Sequence, residues 1–241
     1  MKVTLIDCTG FNEGPMYAAD ILLFTKSTRL NMAAAMDWIK SLPVEEKMKE
    51  LEYMSNTIPS SWEFVDYTFL IEGVGRGFTH QFVRSRHASF AQQTMRVLKM
   101  DKFDYVCGHD LKNDEANYGV YQDCMSVIQY FYDMLINNGV KIEDARGVLP
   151  TNISTNIAFK CNLRTLAEMA SKRASSRTQD EYRSVLDGLI SAVLEKHPWA
   201  KMFLRNRKVE AAENLEKFIL GIDLDQKEKT DLIKLIDILR S

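Results

Sequence analysis

No part of this sequence approaches the ~20 consecutive apolar residues that cross a bilayer, so no membrane-spanning segment is predicted. The apolar stretch in the N-terminal "MKVTLIDCTG" is too short for a secretory signal and favours a β-strand instead. No repeat, low-complexity segment or linker interrupts the chain, so we expect a single domain over residues 1–241. Close cysteine pairs are also missing, which favours free thiols and a cytoplasmic location over a disulfide framework; the cysteines are Cys8, Cys107, Cys124 and Cys161.

Acidic residues are missing from one long window, residues 73–100, which contains four arginines and one lysine. The whole chain has a formal net charge of −2, so this window departs from a nearly balanced composition. Like charges placed together destabilise a folded protein unless opposite charges neutralise them. The window therefore predicts either a bound anion or a basic surface patch that pairs with the acidic remainder of the chain. The near-neutral total disfavours a general nucleic-acid binder, which needs a broad basic face.

Apolar periodicity predicts a mixture of strands and helices. Strands are predicted in "KVTLIDC", "EFVDYTFLIEGV" and the end of "GVLPTNISTNIAFKCN". Helices are predicted in "RLNMAAAMDWIKSL", "VEEKMKELEYMSN", "FTHQFVRSR" and "YQDCMSVIQYFYDMLINNG", and over residues 162–173, 178–196 and 209–241. In this interpretation "FTHQFVRSR" carries two of the arginines on a helix, and Gly139 caps the longest helix. The irregular order of strands and helices indicates an α+β fold rather than a regular βαβ array.

Three familiar signals do not assign a function. "GVGRG" follows a predicted strand, but its G-x-G-x-G spacing and the lack of an acid ~20 residues later do not fit a dinucleotide-binding fold. The histidines lack ligand spacing, so no metal site is predicted. No cysteine has an obviously cationic environment, and Cys161, beside Lys160, is expected to pack on its strand rather than act as a nucleophile.

The residue types around the arginines indicate a specific ligand. The guanidinium groups of Arg84 and Arg86 are planar forks that suit bidentate phosphate contacts. Neutral donors and acceptors that can orient a base or a sugar surround them: Gln81, Ser89, Gln92, Gln93 and Thr94. A phosphorylated compound with a heterocycle fits this set of side chains better than bulk electrostatics does.

Two segments resemble the flavin-dependent thymidylate synthases. Arg84-Ser85-Arg86, followed after seven residues by Thr94, is similar to the R-H-R-x7-S signature of that family. The preceding "YTFLIEGVGRGFTHQFVRSRHAS" is similar to the strand and helix that lead into the signature. Residues 148–183, which begin "VLPTNISTNIAFKCNLR", resemble a second block of the family with a Leu-Pro turn, a strand, an Asn-x-Arg and a later Arg. Two ordered blocks with fixed internal spacing make the resemblance specific.

The resemblance implies a fold and an activity. Members of the family are homotetramers with an α+β fold, in which a mixed or antiparallel sheet is flanked by long helices, and they bind FAD where subunits meet. They transfer the methylene of methylenetetrahydrofolate to C5 of dUMP. They then reduce it to a methyl group with flavin hydride that NADPH ultimately supplies. No enzyme cysteine attacks the base, which agrees with the interpretation of Cys161. The partners implied are further copies of the chain and a pyrimidine nucleotide, without nucleic acid or membrane.

The resemblance also assigns roles to residues. The side chains matched to FAD contacts are Arg84, Ser85, Arg86, His87, Asn162 and Arg164. Those matched to nucleotide contacts are Gln81, Gln92, Thr94, Met95, Arg96 and Arg173. The catalytic set is Arg173, Arg96 and Thr94. Arg173 matches the arginine that faces the pyrimidine, where a cation would stabilise the negative charge that grows on the base. Simpler roles stay open, because Asn162 could cap the next helix and Arg164 or Arg173 could be solvated.

The sequence departs from the family pattern at chemically active positions. Ser85 replaces the central His of the signature, and Thr94 replaces its Ser. Asn156 stands where a cation is common, and Arg177 stands where a His is common. If the common cation at position 156 makes a charged hydrogen bond to the nucleotide, its loss weakens binding by ~1.5–3 kcal/mol. These departures leave two alternatives to dUMP methylation: a related enzyme that acts on dCMP or leaves a hydroxymethyl group, and a non-catalytic nucleotide-binding relative that has lost flavin.

Overall fold

The structure is a computed structural model that describes residues 1–29, 32–95, 103–172, 180–205, 207–222 and 226–240. Its strands are β1 (Lys2–Cys8), β2 (Asp66–Gly75), β3 (Ala88–Gln92) and β4 (Ser154–Asn162). Its α-helices are α1 (Tyr17–Lys26), α2 (Met32–Ser41), α3 (Val44–Thr57), α4 (Arg76–Phe82), α5 (His109–Lys112), α6 (Glu115–Asn137), α7 (Ile142–Ala145), α8 (Leu163–Lys172), α9 (Asp180–Lys196), α10 (Lys201–Leu204), α11 (Arg207–Gly221) and α12 (Gln226–Arg240). Short 3₁₀ helices cover Ser27–Arg29, Pro59–Phe64, Arg146–Val148 and Pro198–Ala200.

The described strands form one antiparallel sheet in the order β1-β2-β4-β3. In the pairing of β2 with β4, Asp66 lies opposite Asn162. In the pairing of β3 with β4, Ala88 lies opposite Cys161. The end of β4 is therefore flanked by the start of β2 on one side and the start of β3 on the other. This arrangement confirms the α+β class and selects the antiparallel alternative for the sheet.

The hydrophobic core lies between one face of the sheet and the helices. α8 packs on β4, and α9 packs on β1 and β2. The central strands bury alternate side chains on this face, as the period of a strand requires: Tyr67, Phe69, Ile71, Ile157, Phe159 and Cys161. Side chains on the other face are half-buried or exposed, among them Thr68, Leu70, Ala158 and Lys160. No helix within the described ranges is long and apolar enough to span a bilayer.

The helix after β2 is shorter than the sequence predicts. α4 ends at Phe82, where the N–H groups of Arg84 and Ser85 bond to the carbonyls of Gln81 and Phe82 in a turn. Arg84 and Arg86 therefore lie in a connection and not on a helix, so that part of the prediction is wrong. The chain has to reverse here because β3 begins at Ala88 and pairs at once with the end of β4.

Two further differences concern the strand before α4 and the C-terminal tail. β2 starts at Asp66, because the preceding Glu63 and Phe64 belong to a 3₁₀ helix. The tail predicted as one helical stretch over 209–241 forms two helices, α11 and α12. These pack chiefly on each other through a small apolar cluster that comprises Ala212, Ile219 and Ile236.

A buried histidine makes the stability of the fold depend on pH. His197 has no exposed surface, and its Nδ1 lies 3.1 Å from the hydroxyl of Tyr67. Its Nε2 has no hydrogen-bond partner among the described residues. Burial lowers the pKa of His197 to about 4, since the charged imidazolium would lose its hydration.

We expect the free energy of unfolding to fall as the pH drops from 7 to 4.5. Unfolded His197 binds a proton near its ordinary pKa, whereas the folded form stays neutral until about pH 4. The unfolded state therefore gains protons first, and the stability lost from this residue is about 2–3 kcal/mol at pH 4.5. Urea unfolding at both pH values measures the loss. A His197→Gln variant should be less stable at pH 7 but should lose less between the two values, and an equal loss in both proteins would contradict the assignment.

Candidate active site

The signature arginines lie in a turn at one end of the sheet. Arg84 to His87 connect α4 to β3, and the strand pairing places them beside the end of β4. The hydroxyl of Thr165, in the first turn of α8, donates a hydrogen bond of 3.1 Å to the carbonyl oxygen of His87. This bond holds the turn above the start of α8. It brings together the two segments that resemble the family, the one around Arg84 and the one in residues 148–183. We call residues 84–87 the cationic turn.

No described residue neutralises the charges of this turn. Arg84, Arg86 and His87 are exposed, and none has an ion-pair or side-chain hydrogen-bond partner among the described residues. Ser85 is half-buried and forms a hydrogen bond with the hydroxyl of Tyr182 on α9. Burial raises the pKa of Tyr182, and the bond with Ser85 acts in the opposite direction. The serine therefore anchors the turn to α9 and leaves two guanidinium groups and an imidazole open to an anion.

The two residues predicted from the second block have partners inside the chain. The Oδ1 atom of Asn162 accepts a 2.9 Å bond from the N–H of Thr165, which caps the start of α8. Arg164 forms ion pairs with Glu63 at 2.7 Å and with Glu168 at 3.1 Å. The bonds to Glu63 and then to Glu168 raise the pKa of Arg164. The alternative that Asn162 caps the helix is confirmed. To contact a ligand, Arg164 would have to break its ion pair with Glu63 or Glu168.

The predicted nucleotide residues in the described ranges lie at the ends of α4 and β3 or just after β3. Gln81 is exposed near the end of α4. Gln92 ends β3, and its Nε2 donates to the hydroxyl of the buried Thr79 at 3.0 Å. Thr94 is exposed, whereas Met95 packs against the apolar cluster around Phe103. The remaining nucleotide and catalytic predictions lie outside the described residues: Arg96, Arg173 and the neighbouring departure Arg177.

The structure gives Asn156 a structural role at a position that is commonly cationic. Its Oδ1 accepts a 3.0 Å bond from the N–H of Gly73, and its Nδ2 donates a 3.0 Å bond to Oε1 of Gln93. Gly73 has φ of +70° at an irregularity in β2, a conformation that favours glycine. Lysine and arginine have no acceptor atom, so neither could satisfy the Gly73 N–H. The amide therefore supports the local backbone where a cation is common.

A second cationic position, missed in the sequence analysis, lies at the other end of β3. Arg76 is the first residue of α4, and its Nη1 lies 3.5 Å from the carbonyl oxygen of Gln93. Burial lowers the pKa of Arg76, and the positive charge of Arg146 lowers it further. No described carboxylate forms an ion pair with Arg76. The sequence did contain a signal, because Arg76 lies in the acid-free window of residues 73–100. Its charge was counted there in the sequence analysis, but no role was assigned to it.

The two cationic positions are separated along β3. The strand runs from Ala88 to Gln92, so the cationic turn and Arg76 lie roughly 14 Å apart along it at ~3.4 Å per residue. Like charges that are not neutralised raise the free energy of the folded chain. Two anionic groups bound beside the same strand would remove this cost at both ends.

Comparison with known proteins places the chain in a family. The family model Thy1, described as thymidylate synthase complementing protein, matches residues 4–199. The chain belongs to this family. A flavin-dependent thymidylate synthase of Clostridium tetani is 33% identical over 215 residues, which cover 82% of this chain and 84% of that protein. The enzyme of the same name from Nitratidesulfovibrio vulgaris is 32% identical over 174 residues, with 67% and 71% of the two chains covered.

A solved structure agrees with the fold. The crystal structure of thymidylate synthase X from Helicobacter pylori, with FAD and dUMP, has a TM-score of 0.61 against this chain at 17% sequence identity. The match covers 85% of this chain and 100% of that one. At this identity the likeness supports the fold, while the family model and the curated relatives confirm the resemblance that the two sequence blocks predicted.

Proposed function

We propose that this chain makes dTMP by transferring the methylene of methylenetetrahydrofolate to C5 of dUMP and reducing it to a methyl group. Membership of the family and the name shared by the curated relatives support this activity and its dependence on FAD. Within the chain, the observation that carries the proposal is the pair of cationic positions at the two ends of β3, neither of which has a described carboxylate to neutralise it. FAD and a nucleotide monophosphate are two anions of the required kind.

The cationic turn fits the phosphates of FAD. Arg84 and Arg86 offer planar forks that bond two oxygens of a phosphate at once, and His87 adds a third donor. Ser85 keeps the turn in place through Tyr182, which is the role that its size and burial allow. Arg164, at the start of α8, would reach the flavin side by releasing Glu63. Once bound and reduced, FAD would supply the hydride for the reduction, and the protein side chains would hold and orient it.

The other end of β3 fits the nucleotide. The guanidinium of Arg76 would bind the phosphate of the nucleotide. It would take the place of the cation that is common at position 156, where this chain has Asn156. Gln92, Thr94 and Arg96 would contact the sugar and base, in agreement with the resemblance. A charge-assisted bond from an arginine to the phosphate contributes about 1.5–3 kcal/mol. Arg96 lies outside the described residues, and its role rests on the resemblance alone.

Catalysis would rest on polarising the base and not on a thiol. Arg173, also outside the described residues, is assigned by resemblance to the pyrimidine, where its charge would stabilise negative charge on the ring. Cys161 is buried, and burial raises its pKa well above the usual range of a thiol. A neutral, buried thiol is a poor nucleophile. This environment supports a mechanism in which Cys161 does not attack the base.

The proposal includes assembly and location. Family members resembling this chain are homotetramers that share active sites, and we propose the same arrangement here, with no nucleic-acid partner. All four cysteines are free, which supports a reducing cytoplasm. The test of the activity is conversion of dUMP to dTMP by the purified chain with FAD, NADPH and methylenetetrahydrofolate. No product from a chain that has bound FAD would reject it.

A further inference from the structure

The first turn of α9 contacts both cationic positions of the candidate site. Two consecutive residues make these contacts, Glu181 and Tyr182. The carboxylate of Glu181 accepts a bond from the backbone immediately before Arg76, and the hydroxyl of Tyr182 bonds with Ser85 in the cationic turn. Consecutive side chains on a helix diverge by about 100°, so one turn of helix can hold two separate segments. We call Glu181 and Tyr182 the α9 pair.

Glu181 holds the backbone from which Arg76 projects. Its Oε1 accepts a 2.7 Å hydrogen bond from the N–H of Gly75, the residue that precedes α4. An atom in the Cβ position of Gly75 would lie 3.4 Å from Oε2 and 3.6 Å from Oε1, so the whole carboxylate faces this glycine. The side chain is half-buried; burial raises the pKa of the carboxyl, and the bond from Gly75 lowers it. The carboxylate therefore supports the start of α4.

The neighbouring backbone groups at the start of α4 are held as well. The N–H of Arg76 donates a 3.1 Å bond to the carbonyl oxygen of Ile153, and the N–H of Gly77 donates a 2.7 Å bond to that of Thr151. With the bond from Gly75 to Glu181, three consecutive N–H groups have acceptors. A side chain that projects from a fixed backbone loses fewer conformations when it binds a ligand.

Tyr182 holds α4 through its ring and the cationic turn through its hydroxyl. Its ring centroid lies 5.7 Å from that of Phe78 and 6.0 Å from that of Phe82, and both phenylalanines are buried on α4. Its hydroxyl bonds with Ser85, which lies between two arginines in the sequence. Because Tyr182 is only 9% exposed, packing fixes its orientation. Phenylalanine at this position would remove the bond to the turn and keep the packing.

Helix α9 is a rigid support for the pair. It packs on β1, β2 and α4, and its inner face is buried. The buried residues that follow the pair are Val185, Leu186, Leu189 and Val193. Residues supported by a packed helix are placed more accurately than residues on free loops. Both cationic positions therefore share one rigid element of the fold.

We propose that the α9 pair positions both ligand subsites of the enzyme. Glu181 is the positioning residue for Arg76 at the nucleotide end of β3, and Tyr182 is the positioning residue for the cationic turn at the flavin end. Each acts through the backbone or side chain it bonds and not by touching a ligand. The inference rests on the proposed function, because it takes FAD to bind at one end of β3 and dUMP at the other.

The experiment measures the affinities for FAD and dUMP in two variants. Fluorescence titration gives the Kd for FAD, and calorimetry on the FAD-loaded protein gives the Kd for dUMP. Tyr182→Phe should raise the Kd for FAD by about 2- to 12-fold, the cost of ordering a turn that is no longer held, and should leave the Kd for dUMP unchanged. Glu181→Ala should raise the Kd for dUMP by the same factor and leave the Kd for FAD unchanged.

Matched variants make the same chemical changes at exposed positions. Tyr130→Phe on α6 and Glu46→Ala in the first turn of α3 should change neither Kd. Glu181→Gln keeps an oxygen that can accept the bond from Gly75, so its Kd for dUMP should stay at the wild-type value. If Glu181→Ala does not fold, Glu181→Asp shortens the side chain and serves for the same comparison.

The direction of the change separates positioning from a simple charge effect. A carboxylate that acted only through its charge would repel the phosphate of dUMP, so Glu181→Ala would then bind dUMP more tightly. That result, or a Tyr182→Phe variant with the wild-type Kd for FAD, would overturn the inference and leave the proposed activity untouched. Equal loss of both ligands in each variant would also overturn it. A wild-type protein that binds neither ligand would instead reject the proposed function and the inference with it, so the two failures are distinguishable.

Discussion

Replacing Arg86 with alanine should release FAD from the protein. This guanidinium lies in the cationic turn, and no described carboxylate forms an ion pair with it. In the proposed site it bonds a phosphate of the cofactor. Loss of a charged hydrogen bond of about 2–3 kcal/mol corresponds to a rise of about 30- to 150-fold in the Kd for FAD. Flavin absorbance after gel filtration, followed by titration with FAD, measures the change. Arg84→Ala should have an effect of the same size.

A matched variant separates this role from a general loss of charge. Lys49→Ala removes one exposed positive charge from α3 and should bind FAD as the wild-type protein does. Arg86→Lys keeps the charge but loses the planar fork, so its affinity should lie between those of the wild type and the alanine variant. If Arg86→Ala retains FAD at wild-type affinity, the assignment of the turn is wrong. A wild-type protein that takes up no FAD at all would instead indicate a non-catalytic relative.

The second large effect is expected at Arg76. Arg76→Ala should raise the KM for dUMP by about 10- to 150-fold, because the phosphate would lose a charge-assisted bond of about 1.5–3 kcal/mol. FAD affinity should stay unchanged, since the cationic turn lies at the other end of β3. Steady-state kinetics at saturating FAD and methylenetetrahydrofolate measures KM and kcat separately.

Arg86 and Arg76 serve as reciprocal controls. Each variant should impair one ligand and spare the other, which a general loss of stability would not produce. Arg76→Lys should recover part of the affinity for the nucleotide, since it keeps the charge. An unchanged KM for dUMP in Arg76→Ala, or a parallel loss of both ligands, would show that Arg76 does not bind the phosphate.

The strands and helices that were predicted correctly from the sequence have strong periodic patterns of apolar residues. β4 shows strict alternation, and α6 carries apolar residues over many turns before Gly139, whose φ of +82° fits the predicted cap. β3 was missed because its five residues alternate only weakly. Their strand conformation comes from pairing with β4, a contact with a partner some 70 residues away in the chain. The end of α4 was misplaced for the same reason, since the turn is imposed by that pairing.

The candidate site shows the same division between local and long-range information. Arg84 and Arg86 stand out in the sequence because their charges have no nearby acid, and the family resemblance assigned them to FAD. The ion pair between Arg164 and Glu63 joins residues a hundred positions apart, so spacing could not predict it. The bond of Asn156 to Gly73 likewise depends on an irregularity in β2. The comparisons confirm the family, the fold class, the enzyme class and the flavin cofactor; the roles of individual residues stay predictions.

The most direct test of the account is the product formed from a pyrimidine nucleotide. The purified chain is incubated with reduced FAD and methylenetetrahydrofolate, with dUMP and dCMP in parallel, and the nucleotides are analysed by mass. The account predicts that dUMP gains one methylene unit in mass and becomes dTMP, while dCMP is unchanged. Product from dCMP alone, a hydroxymethyl product, or no product from protein that has bound FAD would contradict it.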